Sequence, residues 1–244
     1  MTDAPSRNII SRRNRPAKSP LSRDVIVSTA LHILEREGLS GLTLRRIATA
    51  LDTGPASLYV YVTNLDELHT LMLDRALEAV HLPRSPKLTW RDRLKTLLRS
   101  YLNVLYQRPG LAQIALSTIA AGPSSLRILE MILSLLQEGG VDDLKAAWGV
   151  DLLILYVTAI AAEQSQRHEG DQSLERVKKA LSTASKDQFP RVFALKDALL
   201  AGDGGSRNDW ALDVIIEGIA HGGFHPLTTA TAGVSRRRAS GRNR

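Results

Sequence analysis

The chain has 244 residues, a formal net charge of +7 and no cysteine. This length can bury a substantial core without cross-links, and the lack of cysteine excludes disulfide scaffolds, cysteine-based zinc sites, iron–sulfur clusters and thiol nucleophiles. A sequence pI near 9.9 suggests an acidic partner such as nucleic acid.

The positive charge is concentrated at the two ends of the chain. Residues 1–20 hold five basic residues and one acid, and residues 234–244 hold five arginines and no acid, so the body between them is slightly acidic. Both ends are poor in large apolar residues, which predicts a disordered basic arm over 1–20 and a disordered basic tail over 229–244. Solubilising ends and arms that touch DNA phosphates are both open as interpretations. The N-terminus lacks the apolar core of a signal peptide, which favours a cytoplasmic protein.

Helical periodicity dominates the chain, and the first predicted helices are short. Ser22 is expected to cap a first helix that ends at Gly38. A second helix is predicted over 44–51 behind the cap Thr43, and a third over 55–61 with proline in its first turn.

The fourth helix is expected to run from Asn64 to His81 and to begin with a capping box, because Glu67 follows Asn64 by three residues. A Pro-rich break at 83–86 separates it from the rest of the chain. The helices expected after the break are 89–107, 110–119, 124–138, 142–167, 188–201 and 208–221. The polar, charged segment 168–187 is expected to be a loop or an irregular connection.

These elements predict an all-α fold with two domains. A small N-terminal three-helix helix-turn-helix domain spans 21–81, and a larger helical domain spans 82–228. One stretch, 146–162, is almost wholly apolar, but it is about one helical turn short of a membrane span and contains Asp151. A helix buried in a core or a dimer interface explains this stretch better, so we expect no membrane association.

The segment 43–61 predicts a helix-turn-helix, in which the turn Asp52-Thr53-Gly54 joins two short helices. In this motif the second helix enters the major groove and the first meets the DNA backbone. Such helix pairs also occur packed inside ordinary cores, so the exposed chemistry matters. Base edges suit Arg45, Ser57, Pro55 and Ala56, and phosphates suit Thr43, Tyr59 and Tyr61.

The amino-acid sequence of this region also resembles that of a known family. Residues 22–77 are similar, without a gap, to the DNA-binding domain of the TetR family of bacterial repressors. The segments that carry the resemblance are Glu37-Gly38-Leu39, Leu42–Ala48 with Leu51, Gly54–Val62 and Asn64–Leu68. The resemblance implies a homodimer that binds double-stranded DNA at a palindromic operator. It also implies a variable C-terminal domain that binds a small-molecule effector and controls the DNA-reading heads.

The resemblance assigns roles to individual positions. Arg46 is expected to contact a phosphate, with a solvated helix charge as the alternative. Leu65 departs from the family, which usually has lysine there, and the lost contact should lower the salt dependence of DNA binding by about one ion per head. The arm at residues 7–18 could replace that contact. The other positions where the family contacts DNA are Thr43, Arg45, Pro55, Ala56, Ser57, Tyr59 and Tyr61.

The larger domain is expected to dimerise and to bind the effector. The predicted dimer helices are 142–167 and 208–221, following the four-helix interface of the family. The effector site should be a largely apolar cavity with a few polar groups. Its candidate residues are His81, Tyr101, Gln113, Thr118, Tyr156 and Glu163. Each of these, taken singly, is also explained as an ordinary core or interface residue.

Residues 89–167 resemble the tetracycline-repressor branch of the family, yet Ala115 stands where that branch has its magnesium-binding histidine. We therefore predict no metal, and the pair His221 and His225 lacks a third ligand. No HExxH, GxSxG or Gly-rich phosphate loop occurs, so we predict no catalytic residues and no cofactor. The predicted function is a repressor released by an unknown small molecule. The alternative is a constitutive DNA-binding protein whose C-terminal domain only dimerises.

Overall fold

The computed structural model describes residues 20–108, 110–166 and 173–223. Within these ranges the chain forms helices and no strand, which confirms the all-α prediction. The predicted tail 229–244, and all of the predicted arm except its last residue, lie outside the described residues. The helices are α1 (Arg23–Gly41), α2 (Leu44–Ala50), α3 (Pro55–Leu58), α4 (Leu65–Leu77), α5 (Trp90–Tyr106), α6 (Leu111–Ser117), α7 (Pro123–Glu138), α8 (Asp143–Gln166), α9 (Ser173–Ser182), α10 (Pro190–Leu200) and α11 (Gly204–His221).

The helix starts of the N-terminal domain are the predicted ones. The side-chain oxygens of Ser22, Thr43 and Asn64 each accept a hydrogen bond from the backbone N–H three residues later, at 3.2, 3.1 and 2.8 Å. Glu67 reaches back one residue beyond the expected capping box, because it accepts from the backbone N–H and the hydroxyl of Thr63, at 2.6 and 2.7 Å, and not from the N–H of Asn64. These caps satisfy backbone donors that have no partner inside their own helix.

Two residues with positive φ set the directions of the first helices. Gly38 has φ +70° and interrupts α1 where the sequence predicts its end. In the turn between α2 and α3 the left-handed residue is Asp52, with φ +50°, whereas Gly54 has φ −82° and an extended backbone. The turn therefore lies where it was predicted, but the aspartate adopts the conformation that usually favours glycine.

Helices α1–α4 pack into a small head around an apolar centre. α1 contacts α2 and α4, and α2 contacts α3. Ile26, Leu34, Ile47, Leu58 and Leu68 are fully buried there. Burying side chains of this size stabilises a fold by about 1.5–3 kcal/mol each, so the short α2 and α3 are held by the core rather than by their own helix propensity.

Helices α5–α8 and α11 form the larger body. α8 contacts α5, α6, α7 and α11, and α4 reaches the body by contacting α5, α6 and α7. By length and composition α8 could cross a membrane. However, Leu153, Val157 and Ala161 on α8 are fully buried against these neighbours, so α8 is the core helix that its apolar sequence predicts.

A ladder of ion pairs holds α11 along α5. Three basic residues of α5, four residues apart, face three acids of α11 with the same spacing. The pairs are Arg91–Glu217, Lys95–Asp213 and Arg99–Asp209, at 3.0, 2.6 and 2.8 Å. Exposed pairs of this kind stabilise a fold by about 1 kcal/mol or less each, but their equal spacing on two antiparallel helices specifies the register of α11.

The prediction of a loop over 168–187 was wrong in its centre, where α9 forms a regular helix. Leu174, Val177 and Leu181 recur at spacings of three and four residues and share one face of α9. The charged residues between them lower the average hydropathy and hide this periodicity. α9 packs against α10, and residues 167–172 lie outside the described residues.

Candidate DNA-reading head and effector cavity

The residues predicted to contact DNA lie on α2, on α3 and on the turn that follows α3. Arg45 is exposed on α2, and Pro55 and Ala56 are exposed at the start of α3. Tyr59, just after α3, is 56% exposed, whereas Leu58 beside it is fully buried. The buried leucine anchors α3 while its neighbours face solvent, which is the arrangement that a groove-reading helix needs.

Arg46 is not a free charge in this structure. Its guanidinium makes two hydrogen bonds with the carboxylate of Glu37 on α1, from Nε at 2.9 Å and from the terminal nitrogen at 2.6 Å. The hydrogen bond from Arg46 lowers the pKa of Glu37, so the carboxylate stays ionised below its usual range. A phosphate must therefore compete with Glu37 for this arginine, and the phosphate contact of Arg46 stays a prediction.

Replacing Glu37 with glutamine is expected to release Arg46 for the DNA backbone. The operator affinity should rise, and the slope of log affinity against log salt should steepen by about one ion per head. Mobility-shift titrations between about 50 and 200 mM salt measure both quantities. Glu35→Gln is the matched control, because Glu35 also lies on α1 and pairs with Arg108 rather than with Arg46. Equal slopes in the two variants would contradict this prediction.

Arg23 is a functional candidate that sequence reasoning missed. Its Nε donates to the backbone oxygen of Tyr61 at 3.1 Å, and its guanidinium also lies 3.5 Å from the carboxylate of Glu67. The backbone N–H of Thr63 lowers the pKa of Glu67 and so favours its charged form. This network ties the first turn of α1 to the segment that follows α3, where Tyr59 and Tyr61 are predicted to contact DNA.

A cavity of about 540 Å³ lies inside the body. Its walls are mostly apolar and come from α4, α5, the end of α6, α7 and α8. Leu73 and Leu77 supply the α4 side. Polar groups are few: the Tyr101 hydroxyl lies 3.3 Å from the Thr158 hydroxyl in the buried wall, and burial raises the pKa of Tyr101. Size, apolar walls and a few placed hydroxyls are typical of a small-molecule site.

The cavity brings together only some of the predicted effector residues. Tyr101 and Thr118 line it, as does Ala115. Residues that sequence reasoning missed are Thr158, Ser125 and Asp151, because only the fold turns these positions of α7 and α8 toward the cavity and no local pattern marks them.

The remaining candidates lie elsewhere. His81 is exposed, and its backbone N–H donates to the Ser100 hydroxyl at 2.8 Å. Gln113 donates from Nε2 to the Ser165 hydroxyl at 3.2 Å. Tyr156 lies on α8, where burial and then the Glu163 carboxylate of the same helix raise its pKa. The effector roles of these four residues stay predictions.

Few side chains in the cavity wall are of a kind that ligates metal ions. Of its described lining residues, Asp151 is the one with a carboxylate and none is a histidine. Across the described ranges, no group of three or more His, Asp or Glu side chains could hold a metal ion. His225 lies outside the described residues.

An apolar stripe runs along the outer faces of α8 and α11. Leu144, Trp148 and Leu152 follow one another at four-residue spacing on α8 and are 45%, 54% and 47% exposed. On α11, Trp210 and Val214 have the same spacing and are 69% and 50% exposed. A groove of about 360 Å³ lies between the two helices. Contiguous exposed apolar surface of this kind usually marks a protein interface.

A helix-turn-helix head, packed through α4 against a body with a cavity of small-molecule size, defines the class of ligand-responsive DNA-binding transcription regulators. The family described as "Tetracyclin repressor-like, C-terminal domain" matches residues 82–222. The chain belongs to the TetR family, as the resemblance of residues 22–77 implies.

Individual relatives agree with this assignment. The chain is 34% identical over 161 residues to the HTH-type transcriptional repressor DrrR1 of Streptomyces coeruleorubidus, a match that covers 66% of this chain and 60% of that protein. The crystal structure of apo ActR from Streptomyces coelicolor is 36% identical, with a TM-score of 0.77, and the match covers 84% of this chain and 98% of ActR. ActR in complex with actinorhodin has a TM-score of 0.76 at the same identity, over 82% of this chain and 96% of ActR.

Proposed function

We propose that this protein is a repressor that binds a palindromic operator as a homodimer and leaves it when a small molecule fills the cavity. The observation that carries the proposal is the course of α4. Its N-terminal cap, Asn64, adjoins the reading segment, and Leu73 and Leu77 near its other end line the cavity. One rigid helix therefore belongs to both sites, and an effector that shifts its cavity end also moves the head.

The proposed coupling is a difference in affinity. An effector lowers operator affinity only if it binds more tightly to the arrangement of heads that does not fit the operator. In a two-fold dimer the heads must lie about one DNA turn apart, ~34–36 Å, to read both half-sites. The apolar stripe on α8 and α11 supports a dimer with a four-helix interface, because a second copy would cover it.

The proposed effector follows from the walls of the cavity. Apolar side chains dominate, and Tyr101 and Thr158 offer hydroxyls to a carbonyl or hydroxyl group. Of the lining residues that the structure describes, Asp151 is the one with a carboxylate, which can accept a hydrogen bond from a ligand hydroxyl. ActR was solved with actinorhodin, so actinorhodin is the first compound to test on this protein.

Several further properties belong to the same proposal. The head spans 21–81 and the effector-binding and dimerisation domain 82–228, with basic segments at both ends of the chain. TetR-family regulators are generally not enzymes, and no catalytic role is proposed for this one. A cytoplasmic location follows from access to chromosomal DNA.

The experiment is a mobility-shift titration with DNA from upstream of the gene for this protein, at two salt concentrations, with and without actinorhodin. A sharp preference for one palindrome and release by the compound are expected. Uniform binding to unrelated DNA would favour the constitutive DNA-binding alternative. Specific binding that no compound in a thermal-shift screen of small molecules can release would overturn the effector role of the cavity.

Removing the Tyr101 hydroxyl is expected to weaken the binding of the effector without weakening the binding of the operator. Tyr101→Phe should raise the dissociation constant of actinorhodin by about 5- to 10-fold, since one hydrogen bond contributes about 1 kcal/mol. Fluorescence titration measures the affinity for the effector, and a mobility-shift assay measures the affinity for the operator. Tyr106→Phe is the matched control, because Tyr106 lies on the same helix, is 48% exposed and does not line the cavity. Equal losses in both variants would refute this role of Tyr101.

A further inference from the structure

Asp74, in the last turn of α4, forms the N-terminal cap of a different helix. Its Oδ1 accepts from the backbone N–H and the hydroxyl of Ser125, both at 2.9 Å, and its Oδ2 accepts from the backbone N–H of Ser124 at 3.3 Å. α7 begins after Gly122, which has no side chain with which to cap its own helix. A carboxylate from α4 thus satisfies donors of α7 that would otherwise lack a partner, at the helix end that favours negative charge.

This contact between the two helices is closely fitted. Ser124 and Ser125 are 3% and 5% exposed, so their bonds to Asp74 are shielded from water. A Cβ atom at position 122 would lie 2.1 Å from the carboxyl carbon of Asp74. Glycine at this position is what lets the carboxylate reach the start of α7.

The same contact borders the cavity. Ser125, whose hydroxyl donates to Asp74, lines the cavity, and so do Leu73 and Leu77 on either side of Asp74 in α4. A molecule that displaces Ser125 or the start of α7 therefore acts directly on the bonds that tie α7 to α4. Because α4 begins in the head, a change in these bonds acts on the helix that also adjoins the DNA-reading segment.

We propose that Asp74 is the positioning residue that couples the cavity to the head. While Asp74 caps α7, α4 is held in the one orientation that suits the operator. An effector that moves Ser125 loosens this cap and frees α4 to turn. The inference rests on the proposed function for its purpose, but its central claim is that Asp74 holds the head relative to the body, and this claim can be measured without operator or effector.

The test is a distance measurement between head and body. The chain has no cysteine, so nitroxide labels can be placed selectively at Thr49→Cys on α2 and Glu130→Cys on α7, both exposed positions. Labelled chain is mixed with excess unlabelled chain, so that each assembly carries one labelled copy. Pulsed electron paramagnetic resonance should give a narrow distribution of distances between the two labels in the parent protein. In Asp74→Asn the distribution should be wider or bimodal.

Glu78→Gln is the matched control for charge. It removes a carboxylate just after the end of α4, and this carboxylate pairs with Arg75 and not with α7. Its distance distribution should equal that of the parent. Ser125→Ala removes only the hydroxyl bond and keeps both backbone bonds, so it should widen the distribution less than Asp74→Asn, and it keeps the test decisive if Asp74→Asn does not fold. Distributions identical to the parent in Ser125→Ala, and in Asp74→Asn where it folds, would overturn the proposal.

A second readout separates coupling from a cap that only stabilises the fold. For Asp74→Asn, the ratio of effector affinities for free and operator-bound protein should fall by at least about 5-fold, whereas Glu78→Gln should keep the parent ratio. A parent protein that fails to bind an operator would defeat the proposed function alone, because the distance measurement still decides the role of Asp74. A parent that binds and releases its operator, with unchanged distances in the variants, would defeat the role of Asp74 alone.

Discussion

Leu152→Glu is expected to give a monomer that has lost about 10²- to 10⁴-fold in operator affinity. Leu152 lies at the C-terminal end of the α8 stripe and lines the groove between α8 and α11, where a second copy would cover it. A carboxylate buried there without a partner costs several kcal/mol and appears twice in a symmetric interface. Without the dimer, each head binds alone and the advantage of two linked half-sites is lost. Analytical ultracentrifugation measures the oligomeric state, and a mobility-shift assay measures the affinity for the operator.

The control for this variant is Leu126→Glu. Leu126 is 61% exposed on α7 and lies outside the stripe and the cavity wall, so the same change there should leave both the dimer and the operator affinity intact. A Leu152→Glu protein that sediments as the parent does and binds the operator as tightly would show that the stripe serves another partner. Loss of both properties in the control as well would point to a general effect of added negative charge.

The head could be predicted almost completely from the sequence because its signals are local. Ser22, Thr43 and Asn64 each cap the helix that starts at the next residue, and Gly38 interrupts α1 where the pattern ends. The predicted DNA-contact residues also lie within one short segment, 43–61, so that their spacing alone places them on α2, on α3 and beside the ends of these two helices. What the sequence does not show is the state of Arg46, because its partner Glu37 lies nine residues away on another helix.

The cavity could be predicted in kind but not residue by residue. Its walls come from five helices, and Thr158 meets Tyr101 across a separation of 57 residues. Asp74 could not be found for the same reason: on α4 it reads as one more solvated acid, and only the fold places it against Ser125, a separation of 51 residues. Local periodicity also failed to predict α9, because the charged residues between its apolar positions conceal a narrow apolar face.

Arg45→Ala is expected to remove most of the operator's advantage over unrelated DNA. Arg45 is exposed on α2 and makes none of the ion pairs found in the described residues, so its guanidinium is available to a guanine edge. Such a contact discriminates by about 1–3 kcal/mol. A dimer uses two heads, and the operator affinity should therefore fall by about 30- to 10⁴-fold, while binding to unrelated DNA changes little.

Arg36→Ala is the matched control, because it removes the same charge from an exposed position of the head on α1, outside the helix-turn-helix. Shift assays with the operator, with operators altered at single base pairs and with unrelated DNA separate the two roles that an arginine can have. If Arg45 contacts a base, the affinity of Arg45→Ala should no longer depend on the identity of one base pair of the operator. The slope of log affinity against log salt should then be nearly the same as in the parent protein. A uniform loss on all DNA, with a slope lowered by about one ion per head, would place Arg45 on the phosphates and leave base reading to the residues of α3.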